Sequence, residues 1–199
     1  TQQIGELASA LGVTTRTLAP GFAGADSGWH PTDVAMVDGL VYATDVDGVA
    51  IFRPDGASLG RLSQAGTPVT LSRPNGITPG PDGSLVISDT NAQRVASYSV
   101  DGDLLWQLGP ASGKDEPFGL PRGLSYDGDG TILVADAFRF GITAISTAGE
   151  LLDTYSSRGQ AKAQFEYPND IDVRAGMWLV TDKDNNRIQV LRLVNSLDR

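Results

Sequence analysis

Six residues stand one or two places after four regularly spaced prolines. They are Thr32 and Asp33 after Pro31, Asn75 after Pro74, Arg122 after Pro121, and Asn169 and Asp170 after Pro168. Brought together, two carboxylates, two amides, a hydroxyl and a guanidinium would hold a small polar ligand or the polar groups of a partner. Asp33 and Asp170 supply oxygen donors of the kind Ca²⁺ takes, and calcium is the only cofactor these residue types suggest. The plainer alternative is that the six satisfy backbone groups at strand starts and bind water. Other chemistries lack their residues. His30 is the sole histidine and there is no cysteine, so a His-rich or thiolate zinc site has no ligand set. The same shortage argues against Ser-His-Asp or Cys-His nucleophilic catalysis.

The elements that must position these residues repeat along the chain. An apolar strand ending in Asp occurs four times, as "VYATD" at Asp45, "LVISD" at Asp89, "ILVAD" at Asp136 and "WLVTD" at Asp182, with gaps of 44, 47 and 46 residues. Each copy is preceded by a Pro-initiated strand and a turn: Asp38-Gly39, Asp82-Gly83, Asp129-Gly130 and Ala175-Gly176. Such pairs suit a two-residue hairpin, which needs positive φ. A third strand follows each Asp, beginning near Val49, Arg94, Ile142 and Arg187. A second turn comes at Asp55-Gly56, Asp101-Gly102 and Ala148-Gly149, then a fourth strand such as "DLLWQLG". Four antiparallel strands per unit of this length predict an all-β fold, a β-propeller of four blades opening near residues 31, 74, 121 and 168. Trp29, Phe118 and Phe165 sit two or three residues before a blade-opening proline and are expected to pack between blades.

Composition agrees with a folded chain of many short elements. The chain has 199 residues, 40% of them hydrophobic, with 24 glycines and 11 prolines to serve tight turns. Its formal net charge of −9 opposes a phosphate-tracking surface, so no nucleic-acid partner is expected. No apolar run reaches the ~18 residues a membrane span needs. The chain starts at Thr rather than Met, and an upstream segment (a signal, an anchor or a tag) is expected.

The strings "RPNGITPGPDGSLVISDTNAQRVASY" and "YPNDIDVRAGMWLVTDKDNNRIQVL" resemble the NHL repeat, in which Pro-x-Gly-Ile, a turn, a strand, Asp and Asn-x-Arg-Ile follow in order. The resemblance covers roughly residues 29–193. The first copy departs from it with the shorter "TDVDGVAIF", and the third, "ADAFRFGITAI", lacks the Arg before its third strand. Because the polar knot after each Asp recurs in all four copies, it reads as a blade part. The Asp is expected to cap the following turn, with Asn185 or Asn186 left-handed and Arg94 and Arg187 each paired with a blade-edge Asp.

Blade spacing predicts that the last unit stops at its second turn and lacks a fourth strand. The same spacing aligns "VTTRTLAP", residues 13–20, with an orphan fourth strand that would complete that blade and remove sheet edges. An incomplete or larger propeller, or a strand-swapped dimer, are the alternatives. Residues 1–12 have helical apolar spacing at Ile4, Leu7, Ala8 and Leu11 and form a short amphipathic lead, leaving 13–199 as the propeller.

Two functions fit. The first is a non-catalytic binding or scaffold module, presenting one propeller face to a protein or glycan partner within a larger extracytoplasmic assembly. The second is a Ca²⁺-dependent hydrolase, lactonase or lyase using Asp33 and Asp170. NHL-like proteins include members of both kinds, so the resemblance implies the fold and leaves the activity open.

Overall fold

The computed structural model describes residues 29–110 and 116–192. The amphipathic lead over 1–12 and the closing strand over 13–20 lie outside the described residues. Apart from three single 3-10 turns, the regular structure described is all strand.

The first blade is built from β1 (Asp33–Val37), β2 (Leu40–Asp45), β3 (Gly48–Phe52) and β4 (Ser58–Arg61), paired in that order. A small ribbon, β5 (Ser63–Gln64) with β6 (Thr67–Pro68), leads to the second blade. That blade comprises β7 (Pro74–Pro79), β8 (Leu85–Asp89), β9 (Arg94–Tyr98) and β10 (Leu104–Leu108). The third comprises β11 (Pro121–Tyr126), β12 (Thr131–Asp136), β13 (Gly141–Ser146) and β14 (Leu151–Ser156). The fourth has three described strands, β15 (Pro168–Arg174), β16 (Met177–Asp182) and β17 (Arg187–Arg192). This is a four-blade propeller arrangement, as the repeat spacing predicts.

Turn chemistry sets the registers. Asp38 and Gly39 have φ of 49° and 75°, Asp82 and Gly83 60° and 75°, and Ala175 and Gly176 50° and 72°, the double-positive pattern of a hairpin turn. The third blade differs. Its loop runs from Asp127 to Gly130, closed by Asp127 N–H to Thr131 O at 2.9 Å, and Gly128 and Gly130 take the positive φ.

Three apolar clusters join consecutive blades. One face of the first blade (Ala35, Val37, Tyr42, Val49) meets Ile77, Leu85, Ile87 and Tyr98. Val86 and Val95 on the opposite face of the second blade meet Leu124, Ile132, Val134 and Ile145, with Phe118 filling the junction. Leu133, Ala135 and Ile142 then meet Ile171 and Val180 around Phe165. Phe118 and Phe165 are both fully buried between blades. Trp29 instead lies edge-on to Phe52 at 5.9 Å, on the outward face of the first blade.

The recurring Asp is architectural, with one correction. Asp45, Asp89, Asp136 and Asp182 are all buried. Their acceptors serve mainly the segment entering the blade rather than the turn that follows. Asp45 Oδ1 accepts from His30 N–H (2.9 Å), and Asp89 Oδ1 accepts from Ser72 N–H (2.6 Å). Asp182 Oδ1 accepts from Glu166 N–H (3.0 Å), and Asp136 accepts from Gly119 and Leu120 N–H (2.7 and 2.8 Å). Only Asp136 also caps its following turn, through Phe138 and Arg139 N–H (3.1 and 3.0 Å). The carboxylate thus ties the second strand to the crossover that delivers the opening proline of its own blade. Asn186 and, in the second blade, Gln93 take the left-handed conformation after it (φ 52° and 51°).

Candidate functional site

The blade-opening prolines place the start of each inner strand around one end of the propeller. There the first three blades enclose a cavity of about 280 Å³. Besides Thr90, whose hydroxyl is spent on Pro121 O, its polar lining has six described residues, His30, Thr32, Arg73, Asn75, Asn91 and Arg122, and Val46 and Leu120 add apolar wall.

Three of these six come from the axial set of the sequence: Thr32, Asn75 and Arg122. Thr32 Oγ1 donates to Pro74 O at 2.8 Å and shares a 2.9 Å hydrogen bond with Thr44 Oγ1, so it bridges the first and second blades. Arg122 is held from the fourth blade. Its Nε and Nη2 donate to Asn169 Oδ1 at 3.2 and 2.8 Å, and its guanidinium lies 5.8 Å from the Tyr167 ring centroid. Asn169 therefore orients a cationic wall of the cavity without lining it. Asn75 lines it directly.

The two carboxylates are placed differently. Asp33 Oδ1 accepts from Val34 N–H at 2.8 Å, and Oδ2 accepts from Ile77 N–H of the second blade at 2.9 Å. Asp170 Oδ1 accepts from Ile171 N–H at 2.9 Å. Burial raises both carboxyls above the ordinary Asp value, partly offset by those backbone bonds, and the Asp33 charge raises Asp170 further. The pair therefore shares one electrostatic neighbourhood. Among the described residues no group of three or more His, Cys, Asp or Glu is arranged to hold a metal ion. For Ca²⁺, two carboxylates with three of four oxygens taken by backbone donors fall short of the six to eight oxygens the ion gathers. The residues do not fit a calcium centre as they stand.

Sequence reasoning did not place His30, Arg73 or Asn91 at the site. Arg73 directly precedes Pro74, and its φ of 54° turns it out of the extended path a pre-proline residue prefers. Asn91 belongs to the turn after Asp89, inside the knot that serves architecture elsewhere. The side chains of Arg73, Asn75, Asn91 and His30 have no hydrogen-bond partner among the described residues. Among the described residues, the opening therefore presents donors without a protein acceptor: a guanidinium and two primary amides, with a second guanidinium braced behind them.

No protein-family model matches the chain, and no curated protein matches it by sequence. Solved structures match its fold. A protein of unknown function from Bacteroides thetaiotaomicron is 19% identical, with 80% of this chain and 46% of that chain covered and a TM-score of 0.64. A chain of a nidogen/laminin complex is 22% identical over 82% of this chain and 59% of that one, at a TM-score of 0.63. A streptogramin B lyase is 18% identical over 89% and 58%, at a TM-score of 0.62. The chain spans about half the length of these structures. At such identities the likeness establishes the fold alone: an all-β propeller.

Proposed function

We propose that this protein is a non-catalytic binding module of the NHL-like propeller kind, whose protein partner inserts a carboxylate into the cavity between the first three blades. The observation that carries this reading is the donor set of Arg73, Asn75, Asn91 and Arg122 around one opening, with no acid among its described lining residues. On a chain of net charge −9, a cavity walled by two guanidinium groups is a local exception. Planar guanidinium and amide donors match the in-plane lone pairs of a carboxylate. Three of the four oxygens of the axial carboxylates, by contrast, are occupied by backbone donors. That the nidogen/laminin structure is a protein complex is compatible with a propeller face that meets a protein.

Titration of ¹⁵N-labelled protein with short Asp- and Glu-containing peptides tests this reading, with their Asn and Gln counterparts as controls. Acidic peptides should shift the side-chain resonances of Arg73, Asn75 and Asn91, and Arg73→Ala should abolish those shifts. Equal shifts from the amide peptides, or shifts confined to another face, would overturn it.

A further inference from the structure

A second cavity, of about 240 Å³, opens at the end of the propeller opposite the blade-opening prolines, bounded by hairpin turns of the first three blades and by β10. Ser97 in its wall breaks the pattern of the repeat. The residue paired with the third position before the recurring Asp is Ile51 in β3, Ala144 in β13 and Val190 in β17, but Ser97 in β9. Ile51 and Ala144 pack against the apolar cores of their junctions. Ser97 is 1% exposed and lines the cavity, and its hydroxyl has no hydrogen-bond partner among the described residues. A buried hydroxyl where the other blades use an apolar side chain costs stability unless a partner meets it.

The rest of the wall is rich in acceptors. Ser84 Oγ gives its proton to Pro81 O at 3.1 Å, which leaves it lone pairs alone to offer. Ser99 Oγ accepts from Asp103 N–H at 3.1 Å and keeps its proton. Asp38 and Asp82 stand on adjoining turns at the rim, where a Cβ on Gly83 would lie 3.6 Å from Asp38 Oδ2. Neither carboxylate has a hydrogen-bond or ion-pair partner among the described residues, and the described lining contains no Lys, Arg or His. Val100, Leu105 and Trp106 add apolar surface. The indole is a fixed wall: its Nε1 donates to Thr147 O of the third blade at 2.9 Å, and its Cε3 would stand 2.6 Å from a Cβ on Gly149.

We propose that this cavity binds a primary ammonium group on an aliphatic stem, the chemistry of a lysine side chain or of a free polyamine. An ammonium has three donors and no acceptor, and it meets Asp38, Asp82 and the lone pairs of Ser84 and Ser97. Its methylenes lie along Val100, Leu105 and the Trp106 ring, as such stems do on apolar surface. A carboxylate or phosphate would face two acids, and a purely apolar group would leave Ser97 without a partner. The net charge of −9 draws the same sign of ligand. This site lies at the opposite end from the carboxylate-binding mouth and does not depend on it.

Titration of ¹⁵N-labelled protein, followed at the Trp106 indole N–H and the Ser97 and Ser99 amides, tests the site with a short lysine peptide and with cadaverine as probes. The peptide, the diamine or both should shift these resonances to saturation, and which of them does so identifies the source of the ammonium. The same peptide with its lysines acetylated should leave them unmoved. Ser97→Ala and Asp82→Asn should each weaken binding about tenfold, the size of one hydrogen bond to a charged group. Both variants should keep the fold, because Ala144 fills the place of Ser97 in the third blade and Asn suits the left-handed φ of 60° at Asp82. Circular dichroism and melting curves check this. Shifts from neither probe, equal shifts from the acetylated peptide, or undiminished binding by both variants would each overturn the site. The same shifts from Ca²⁺ at equal concentration would overturn it too, since they would mean a diffuse field of acids.

Discussion

Arg187 donates from Nε to Asp182 Oδ2 at 2.9 Å, and its other nitrogens reach the carbonyls of Gln160, Ala161 and Gln164 at 2.6 to 2.9 Å. Asp182 is fully buried, and Asn185 Nδ2 donates to the same carboxylate at 2.8 Å. One arginine therefore staples the crossover loop before the fourth blade to the β16–β17 hairpin at the same end of that blade. Arg94 makes the corresponding bond to Asp89 at 2.9 Å but sends Nη1 to Gln107 of β10 at 2.9 Å. The role is shared, and the second partner differs with the strand available.

Arg187→Ala is expected to lower stability by about 1–3 kcal/mol through lost charge-assisted bonds and stranded carbonyls. Arg187→Lys should recover little, because a single ammonium lacks the fork that reaches four acceptors. Urea unfolding midpoints give the comparison. An unchanged midpoint for Arg187→Ala would remove the staple from the account.

The same contacts set an acid limit. Burial by itself would raise the Asp182 carboxyl, but hydrogen bonds from Asn185, Glu166 N–H, Arg187 and Tyr167 N–H outweigh it and hold the value low. A lowered folded value means the stabilisation is present above the unfolded value of about 3.9 and is lost as pH falls through the folded one. The deficit of Arg187→Ala should accordingly be full near neutral pH and shrink in acid. Unfolding free energies of the two proteins measured from pH 7 down to pH 2 should converge.

Asp33 and Asp170 carry the opposite sign. Burial raises both, so their favourable contribution is complete below the unfolded value and is lost as pH rises through the folded ones. Asp33→Asn should lower the Asp170 value by removing the neighbouring charge, while burial keeps it above that of an exposed Asp. Carboxyl ¹³C titration of Asp170 in both proteins reads this directly. An upward or absent movement would mean the two groups do not sense each other.

Much of the fold is legible because blades are local. The strand ending at each Asp, the Asp-Gly and Ala-Gly turns, and the arginines of β9 and β17 follow from residue types a few positions apart. The turn assigned to Asp129-Gly130 misses because Asp127, with Gly128 and Gly130 beside it, offers a longer loop closure that local composition does not distinguish. The cavity is legible only by halves. Thr32, Asn75 and Arg122 share a position in the repeat, whereas Arg73 and Asn91 reach the opening from loops that the arrangement of three blades brings together.

Gly76 and Gly123 test the close approach of inner strands that makes the cavity possible. They occupy the place of Asp33 and Asp170 in the second and third blades. A Cβ on Gly76 would stand 2.8 Å from Arg122 O and 3.0 Å from Gly123 Cα, and one on Gly123 would stand 2.8 Å from Asp170 Cα. These are backbone atoms that no rotamer change can move aside. Gly76 also donates its N–H to Ser88 Oγ at 2.8 Å, and that hydroxyl in turn donates to Arg122 O, so three groups are fixed at one crossing. Alanine at either position must push neighbouring inner strands apart, at a cost of about 1–3 kcal/mol for overpacking. Gly39, with nothing near its missing Cβ but a φ of +75°, separates the two causes. Gly39→Ala should be destabilising through backbone conformation alone and should leave the cavity side chains in place. Gly76→Ala should shift the Arg122 and Asn75 side-chain resonances as well as lower the melting temperature. Equal stability of Gly76→Ala and wild type would mean that the inner strands stand farther apart than this structure places them.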